Sequence, residues 1–307
     1  MSKREKRAFI PIPPPAPLPD GEIIDRDALL EGYLRGEYDL ICVMGPTASG
    51  KTRYAVELAR YFNQRLSEKF AANDGANSGD GRDARANDGA RANDGARAND
   101  GARAMRCEII SADSRQVYRR MDIGTGKDLA EYGEIPYHLI DIAEPGIEYN
   151  VYEYQRDFAL AYRDVRERGQ LPILCGGSGL YIEAATCGYE FGEGQPREAG
   201  LPEKTFYIGT LVSREERRAR IERRLDARLQ EGMIEEIKGL IEAGVSTETL
   251  IRYGLEYKFV TQYILGEISY EYMRERLYIA ICQFAKRQMT WLRGMEKDGI
   301  EIHWTQV

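Results

Sequence analysis

The chain has 307 residues, of which 43% are hydrophobic and 30% charged, as expected for a globular protein of one large domain or two small ones. Its formal net charge of −7 excludes a uniformly basic nucleic-acid-binding surface, although a local basic face remains compatible with it. No apolar run approaches the ~18–20 residues of a membrane-spanning helix, and the N-terminus lacks the apolar segment of a signal peptide, so we expect a cytoplasmic protein.

The first 38 residues are predicted to form an accessory arm. Six of the nine residues in 11–19 are proline, a composition that favours an extended polyproline-like segment over a packed one. Residues 20–38 carry many charges and only weak helical periodicity. We therefore interpret 1–38 as a Pro-rich lead-in to the core.

A strand and a helix follow, and then a repetitive insert. The apolar run 39–44 predicts a buried strand, and the spacing in 51–66 predicts a helix. Residues 85–102 are three copies of RANDGA, which contain no apolar residue larger than alanine and cannot build the packed face of a solenoid. The segment 67–104 is therefore predicted to be a disordered insert.

The remaining chain continues the alternation of strands and helices. Strands are predicted at 107–111, 137–142, 171–175 and 206–211, and helices at 150–167 and from Ser178. This order is typical of a P-loop NTPase-like α/β fold, in which helices cover both faces of a parallel sheet. We assign 39–212 to this core, with a short insert at 188–205.

Residues 213–307 are predicted to form a helical C-terminal part that packs on the core. Helices are predicted at 214–230, 232–243, 256–265 and 269–297, followed by an edge strand at 300–304. Ser213 and Glu216 match a capping box at the start of the first helix. Five scattered cysteines and only two histidines predict neither a disulfide framework nor a histidine-based metal or catalytic site.

A phosphate-binding motif lies between the first strand and its helix. It comprises Gly45, Pro46, Thr47, Ala48, Ser49, Gly50, Lys51 and Thr52, which match G-x-x-x-x-G-K-[ST] in full. The glycines let successive backbone N–H groups converge on an anion, and the helix N-terminus adds positive partial charge. Lys51 supplies a full charge and Thr52 a hydroxyl ligand for Mg²⁺. The motif predicts a diphosphate or polyphosphate ligand without selecting ATP.

Three further segments are candidates for the same cleft. Asp113 follows the second strand, where a carboxylate could accept a proton, hold Mg²⁺ through water or simply cap a helix. The loop 121–127 is either an anion contact or a turn, and 176–181 is either a set of ligand donors or a tight strand-to-helix turn. The cations of 214–224 and 285–293 suit phosphate contact beside aromatic residues, although a solvated helix face is slightly favoured for 214–224.

Taken in order, GPTASGKT, SADSRQVYRRMDIGTGK, PILCGGSGLY, GEISYEYM and AKRQMTWLRG resemble the tRNA dimethylallyltransferases. The resemblance implies transfer of a dimethylallyl group from dimethylallyl diphosphate to N6 of an adenine next to the anticodon in tRNA. It implies that the phosphate motif and Mg²⁺ hold the diphosphate, with Lys51 and Thr52 stabilising its charge, and that Asp113 is the general base. Contacts with the tRNA anticodon stem-loop are implied for Asp113, Ser114, Arg115, Gln116, Ser178 and Arg293. Ser178 counts among the catalytic residues, and Arg287 is implied to bind the diphosphate.

The chain departs from this family between the fourth and fifth predicted strands. Members usually carry a sizeable helical insert that grips the anticodon loop, whereas only 188–205 is present here. An adenylate dimethylallyltransferase acting on AMP or ADP is therefore kept as an alternative, and a P-loop small-molecule kinase or a non-catalytic relative as weaker ones. We expect a monomer.

Overall fold

One parallel sheet organises the chain, which the computed structural model describes over residues 17–77, 105–188 and 200–307. The strands are β1 (Leu40–Met44), β2 (Cys107–Ala112), β3 (Tyr137–His138), β4 (Leu171–Gly176), β5 (Thr205–Leu211) and β6 (Ile302–Gln306). They lie in the order β3–β2–β4–β1–β5–β6, and every neighbouring pair is parallel. The predicted parallel α/β fold is confirmed.

Helices cover the sheet and continue beyond it. They are α1 (Arg26–Leu34), α2 (Lys51–Asn77), α3 (Val151–Glu167), α4 (Gly179–Thr186), α5 (Arg214–Glu231), α6 (Met233–Glu242), α7 (Thr247–Tyr253), α8 (Leu255–Ile264) and α9 (Tyr270–Lys297). Within the described residues, no helix combines the length and the apolar character needed to cross a bilayer.

The two faces of the sheet are each buried under helices. Alternate residues of β1 point to opposite sides, as strand geometry requires. Leu40, Cys42 and Met44 join a cluster with side chains of α3, α4 and α9, whereas Ile41 and Val43 pack with those of α1 and α2. This two-sided burial explains why the strands read as continuous apolar runs in the sequence.

A third apolar cluster fastens the C-terminal helices to the segment that follows β2. Val117, Tyr118 and Met121 pack there among buried residues of α5 to α9. The last strand, β6, pairs with β5 from Tyr207 to Leu211 and completes the sheet edge. The helical part is therefore joined to the sheet by one apolar cluster and a strand pairing, and to the segment after β2 by a second cluster.

The N-terminal boundary of the core differs from the prediction. Leu29 and Leu30 of α1 are buried, at 4% and 1% relative exposure, in the cluster beside β1. Residues 26–34 thus belong to the core. The prediction that all of 1–38 forms an accessory arm is therefore wrong. Its proline-rich start lies outside the described residues up to position 16.

Other element boundaries shift as well. Helix α2 continues to Asn77, so the insert does not begin at 67. Strand β3 ends at His138, because Leu139 and Asp141 adopt positive φ angles of 61° and 57° that interrupt an extended run. Helix α7 was not predicted. The RANDGA copies, and residues 189–199 of the short insert, lie outside the described residues.

The register of three central strands positions the loops that carry the candidate residues. Gly176 at the end of β4 pairs with Met44 on one side and with Ala112 on the other. The segments following β1, β2 and β4 therefore leave the sheet side by side at its carboxyl edge, where open parallel sheets bind their ligands.

Candidate active site

The phosphate motif forms a tight loop between β1 and α2. Ala48 and Gly50 have φ angles of 62° and 84°, which turn the backbone into the start of the helix. A Cβ at Gly45 would lie 2.1 Å from the Thr210 hydroxyl, so only glycine fits there. The same Thr210 hydroxyl donates to the buried Ser49 hydroxyl at 2.7 Å. Contacts with β5 therefore fix the shape of the loop.

Lys51 lies at the centre of the cleft. Burial lowers the pKa of its ammonium, and the Asp113 carboxylate acts in the opposite direction. The side chain passes close to the turn after β4, because a Cβ at Gly177 would lie 3.3 Å from Lys51 Cε and 2.8 Å from the Gly45 carbonyl. A desolvated cation beside a ring of backbone donors is a favourable environment for a phosphate group.

Thr52 and Cys175 lie beside Lys51. The Thr52 side chain is hydrogen-bonded to Cys175, and burial raises the pKa of that thiol to about 12. Cys175 is therefore protonated at neutral pH and is not a nucleophile. Its contact fixes the Thr52 hydroxyl at the base of the phosphate loop.

Asp113, Ser114 and Ser178 come together from the ends of β2 and β4. Asp113 Oδ1 accepts the Arg115 N–H at 2.9 Å, which orients the carboxylate. The Ser178 hydroxyl accepts the Ser114 N–H at 3.1 Å and lies 3.3 Å from the Ser114 hydroxyl. The structure therefore brings these three residues together with Lys51 and Thr52, as the sequence predicts.

Arg115 and Gln116 turn towards the helical part. The Arg115 guanidinium lies 5.4 Å from the centroid of the Tyr253 ring, and Gln116 Nε2 donates to the Gly126 carbonyl at 3.4 Å. These contacts hold the segment after β2 between the loop 121–127 and α7.

The loop 121–127 is a structural turn. The Glu236 carboxylate accepts the N–H groups of Asp122, Ile123 and Gly124 at 2.6 to 3.1 Å. The Lys127 ammonium is fully buried and paired with Asp122 at 2.9 Å and with Asp141. Lys127, the cation that made this loop a candidate anion contact, is therefore already paired with two carboxylates of the protein.

Gln288, which the sequence reasoning did not single out, links α9 to two loops of the cleft. Its Oε1 accepts the Thr47 N–H at 2.8 Å and the Thr47 hydroxyl at 3.1 Å, while its Nε2 donates to the Gly177 carbonyl at 2.8 Å. The side chain is 9% exposed. Gln288 thereby fixes the phosphate loop relative to the turn that carries Ser178.

Two arginines of α5 also reach the cleft without having been predicted individually. Arg224 donates to the Gly126 carbonyl at 3.2 Å and pairs with Asp128 at 2.6 Å, and its charge contributes to lowering the pKa of Lys51. Arg220 Nη1 lies 3.7 Å from the position of a Cβ on Gly50. The sequence could have indicated them through their spacing, because residues 220 and 224 lie one helical turn apart and therefore on the same face of α5.

The predicted arginines of α9 lie farther out. Arg287 is exposed, with its guanidinium 5.8 Å from the Phe284 ring centroid, and no described contact joins it to the phosphate loop. Arg293 donates to the Pro17 carbonyl. Between them, Trp291 lies against Gly179 and donates to Glu183 at 2.7 Å, leaving 41% of its surface exposed. The structure does not bring these two arginines into contact with Lys51 or Asp113.

Comparisons with known proteins agree on one family. The family model described as IPP transferase matches residues 116–203 and 191–295. The curated tRNA dimethylallyltransferase 1 of Parabacteroides distasonis is 41% identical over 325 aligned positions, which cover 87% of this chain and 92% of that protein. Because the alignment exceeds the 307 residues of the chain, that relative has residues without a counterpart here.

Solved structures show the same fold. The full-length tRNA isopentenylpyrophosphate transferase of Bacillus halodurans is 26% identical, with a TM-score of 0.65, over 87% of this chain and 89% of that one. A eukaryotic dimethylallyltransferase acting on tRNA is 18% identical, with a TM-score of 0.62, over 86% of this chain and 73% of that one. At that identity, the second likeness concerns the fold alone.

Proposed function

The chain belongs to the tRNA dimethylallyltransferase family, and from that premise we propose that it transfers a dimethylallyl group from dimethylallyl diphosphate to N6 of an adenine next to the anticodon in tRNA, releasing diphosphate. The observation that carries the proposal is the convergence of Lys51 and Asp113 at one edge of the sheet. A half-buried cation in an anion-binding loop and an oriented carboxylate are the two groups that such a substitution requires.

The phosphate loop serves the leaving group. Backbone N–H groups of Ala48 and Gly50, the start of α2 and the Lys51 ammonium bind the diphosphate, and Arg220 and Arg224 add positive charge beside them. When the bond from C1 of the dimethylallyl group to the diphosphate oxygen breaks, its electron pair stays on the diphosphate. The fixed donors stabilise that developing charge without reorganising.

Thr52 would hold Mg²⁺ through its hydroxyl. The described residues contain no group of three or more His, Cys, Asp or Glu side chains placed to hold a metal ion. That composition fits Mg²⁺, which typically takes one or two carboxylates and completes its coordination with substrate phosphates and water. When bound, the ion neutralises charge on the diphosphate.

Asp113 serves the nucleophile. The N6 nitrogen attacks C1 and loses a proton, which the Asp113 carboxylate accepts through the oxygen opposite Oδ1, since Oδ1 is already hydrogen-bonded to the Arg115 N–H. An exocyclic amine conjugated with its ring is a poor nucleophile, so positioning supplies much of the rate. The paired hydroxyls of Ser114 and Ser178 lie beside the carboxylate and would orient the adenine.

The RNA partner is the anticodon stem-loop. Arg115 and Gln116 extend from Asp113 towards α7, and Arg293 lies on α9 beyond Trp291, so these side chains would contact the nucleotides around the target adenine. We propose a monomeric cytoplasmic enzyme.

A transfer assay with matched acceptors tests the function. The purified chain is incubated with Mg²⁺ and labelled dimethylallyl diphosphate, together with a tRNA that carries an adenine next to the anticodon. The control is the same tRNA with guanine at that position, and AMP, ADP and ATP are tested separately. We expect label in the first tRNA alone. Label only in AMP or ADP would replace the proposal by the adenylate alternative, and phosphoryl transfer from ATP would replace it by a kinase.

A further inference from the structure

The arginines of α5 differ in what they contact. Five of its seven arginines have an acidic or hydroxyl side-chain partner, namely Arg218 with Tyr278, Arg220 and Arg223 with Glu216, Arg224 with Asp128 and Arg228 with Glu256. For Arg214 and Arg217, the described residues provide neither an ion pair nor a hydrogen-bonded side chain. The two arginines in the first turn of the helix are therefore the uncompensated ones.

Helix packing brings a third arginine to them. Arg274 of α9 pairs with Asp226 at 2.7 Å, and Arg218 donates to Tyr278 at 3.2 Å, so α5 and α9 run in opposite directions. The first turn of α5 consequently lies beside the part of α9 that follows Tyr278, and Arg293, farther along α9, is near enough for its charge to act on Arg217. That guanidinium donates to the Pro17 carbonyl and has no carboxylate partner among the described residues.

Arg217 is held in an unfavourable position. It is half-buried, and burial lowers the pKa of its guanidinium. Cys282 and Glu215 act to raise this pKa, whereas the charges of Arg214 and Arg293 lower it further. A half-buried cation beside two like charges destabilises the free protein unless an anion joins it. The arrangement is thus suited to binding an anion.

The position of this cluster separates it from the diphosphate site. Arg220, one turn farther along α5, already lies against Gly50 of the phosphate loop. At a rise of about 1.5 Å per residue, the backbones of Arg217 and Arg214 lie about 4.5 and 9 Å farther along the helix. They are close enough to the cleft for the same substrate, and Arg214 is far enough along the helix to reach a different phosphate group.

We propose that Arg214, Arg217 and Arg293 form a subsite for a backbone phosphate of the RNA acceptor, outside the catalytic cleft. The inference rests on the proposed function, since it takes the acceptor to be a polynucleotide. Guanidinium groups suit this role because their planar fork matches phosphate oxygens. In a chain with a net charge of −7, such a subsite concentrates the positive charge that RNA binding needs where the acceptor enters.

The test compares two substitutions with a matched control. Arg217→Gln and the double variant Arg214→Gln/Arg217→Gln remove the uncompensated charges, and Arg223→Gln removes one charge from the same helix at a side chain that is 68% exposed. KM for an anticodon stem-loop RNA, KM for dimethylallyl diphosphate and equilibrium RNA binding at several salt concentrations are measured. Thermal melting of each variant is also recorded.

We expect the double variant to raise the KM for RNA about tenfold and to reduce the salt slope of binding by about 1, with an unchanged KM for dimethylallyl diphosphate. Its melting temperature should equal or exceed that of the wild type, because like-charge repulsion is relieved. RNA binding and salt slope equal to those of Arg223→Gln would overturn the subsite. So would a raised KM for dimethylallyl diphosphate with RNA binding unaffected.

The equilibrium titration separates this inference from the function on which it rests. It requires no turnover, so it measures the contribution of Arg217 even if the wild-type chain modifies no RNA. Wild-type transfer to AMP alone would refute the proposed function, whereas normal transfer to RNA with no effect of Arg217→Gln would refute the subsite only.

Discussion

Gln288→Met removes the link between α9 and the cleft while conserving the length of the side chain. The variant loses the acceptor for the Thr47 N–H and hydroxyl and the donor to the Gly177 carbonyl. At about 1 kcal/mol for each hydrogen bond, the variant loses about 2–3 kcal/mol of the free energy that holds the two loops in position. Because a factor of ten corresponds to about 1.4 kcal/mol, we expect the KM for dimethylallyl diphosphate to rise by about 30- to 150-fold.

Steady-state kinetics with varied dimethylallyl diphosphate at saturating tRNA measures this effect. Thr290→Val is the control, since it removes a hydrogen bond from an exposed position of the same helix. Gln288→Glu keeps the length and the acceptor but places an oxygen against the Gly177 carbonyl, so it should be impaired as well. A KM within twofold of the wild type for Gln288→Met would refute the reasoning that this residue positions the phosphate loop.

Three further substitutions test separate parts of the structure. Asp113→Asn should lower kcat by about 10²–10⁴ while calorimetry shows diphosphate binding within a few-fold of the wild type, and retained turnover would remove the general-base assignment. Burial raises the pKa of Glu108, but hydrogen bonds from Arg168 and His138 outweigh this and hold it below its usual range. The stability that this carboxylate contributes is present above its unfolded pKa and lost as pH falls through the lower folded pKa. Glu108→Gln should therefore cost about 1–2 kcal/mol at neutral pH and weaken the acid dependence of melting, whereas parallel melting curves from pH 3 to 7 would contradict this. Leu30→Ala should cost about 2–4 kcal/mol in denaturant unfolding, and a cost under 0.5 kcal/mol would show that α1 is not part of the core.

The sheet was predictable because its strands are buried on both faces. Runs such as 40–44 and 171–175 are apolar throughout, and a parallel sheet between helices favours that pattern. The end of β3 depends instead on backbone angles at Leu139 and Asp141 that no periodicity reports. Helix α1 was underestimated because only its buried face is apolar, and that face contains few residues.

Part of the candidate site could likewise be predicted from the sequence, and part could not. The phosphate loop, Asp113 and Ser178 were predictable because the ends of parallel strands meet at one edge of the sheet. The burial of Lys127 could not be predicted from the local sequence pattern, because it depends on ion pairs with the carboxylates of Asp122 and Asp141. Gln288 is more than 200 residues from the loop it supports, so the contact depends on tertiary packing that its own helix does not reveal.

The central claim is that one cleft couples diphosphate release to prenylation of a tRNA adenine. The most direct measurement is mass spectrometry of nucleosides from tRNA incubated with the purified chain and dimethylallyl diphosphate, with released diphosphate quantified in the same reaction. The account predicts one dimethylallyl group on N6 of the adenine next to the anticodon and an equimolar amount of diphosphate. Unmodified tRNA beside a prenylated mononucleotide, or diphosphate release without any prenylated adenine, would contradict it.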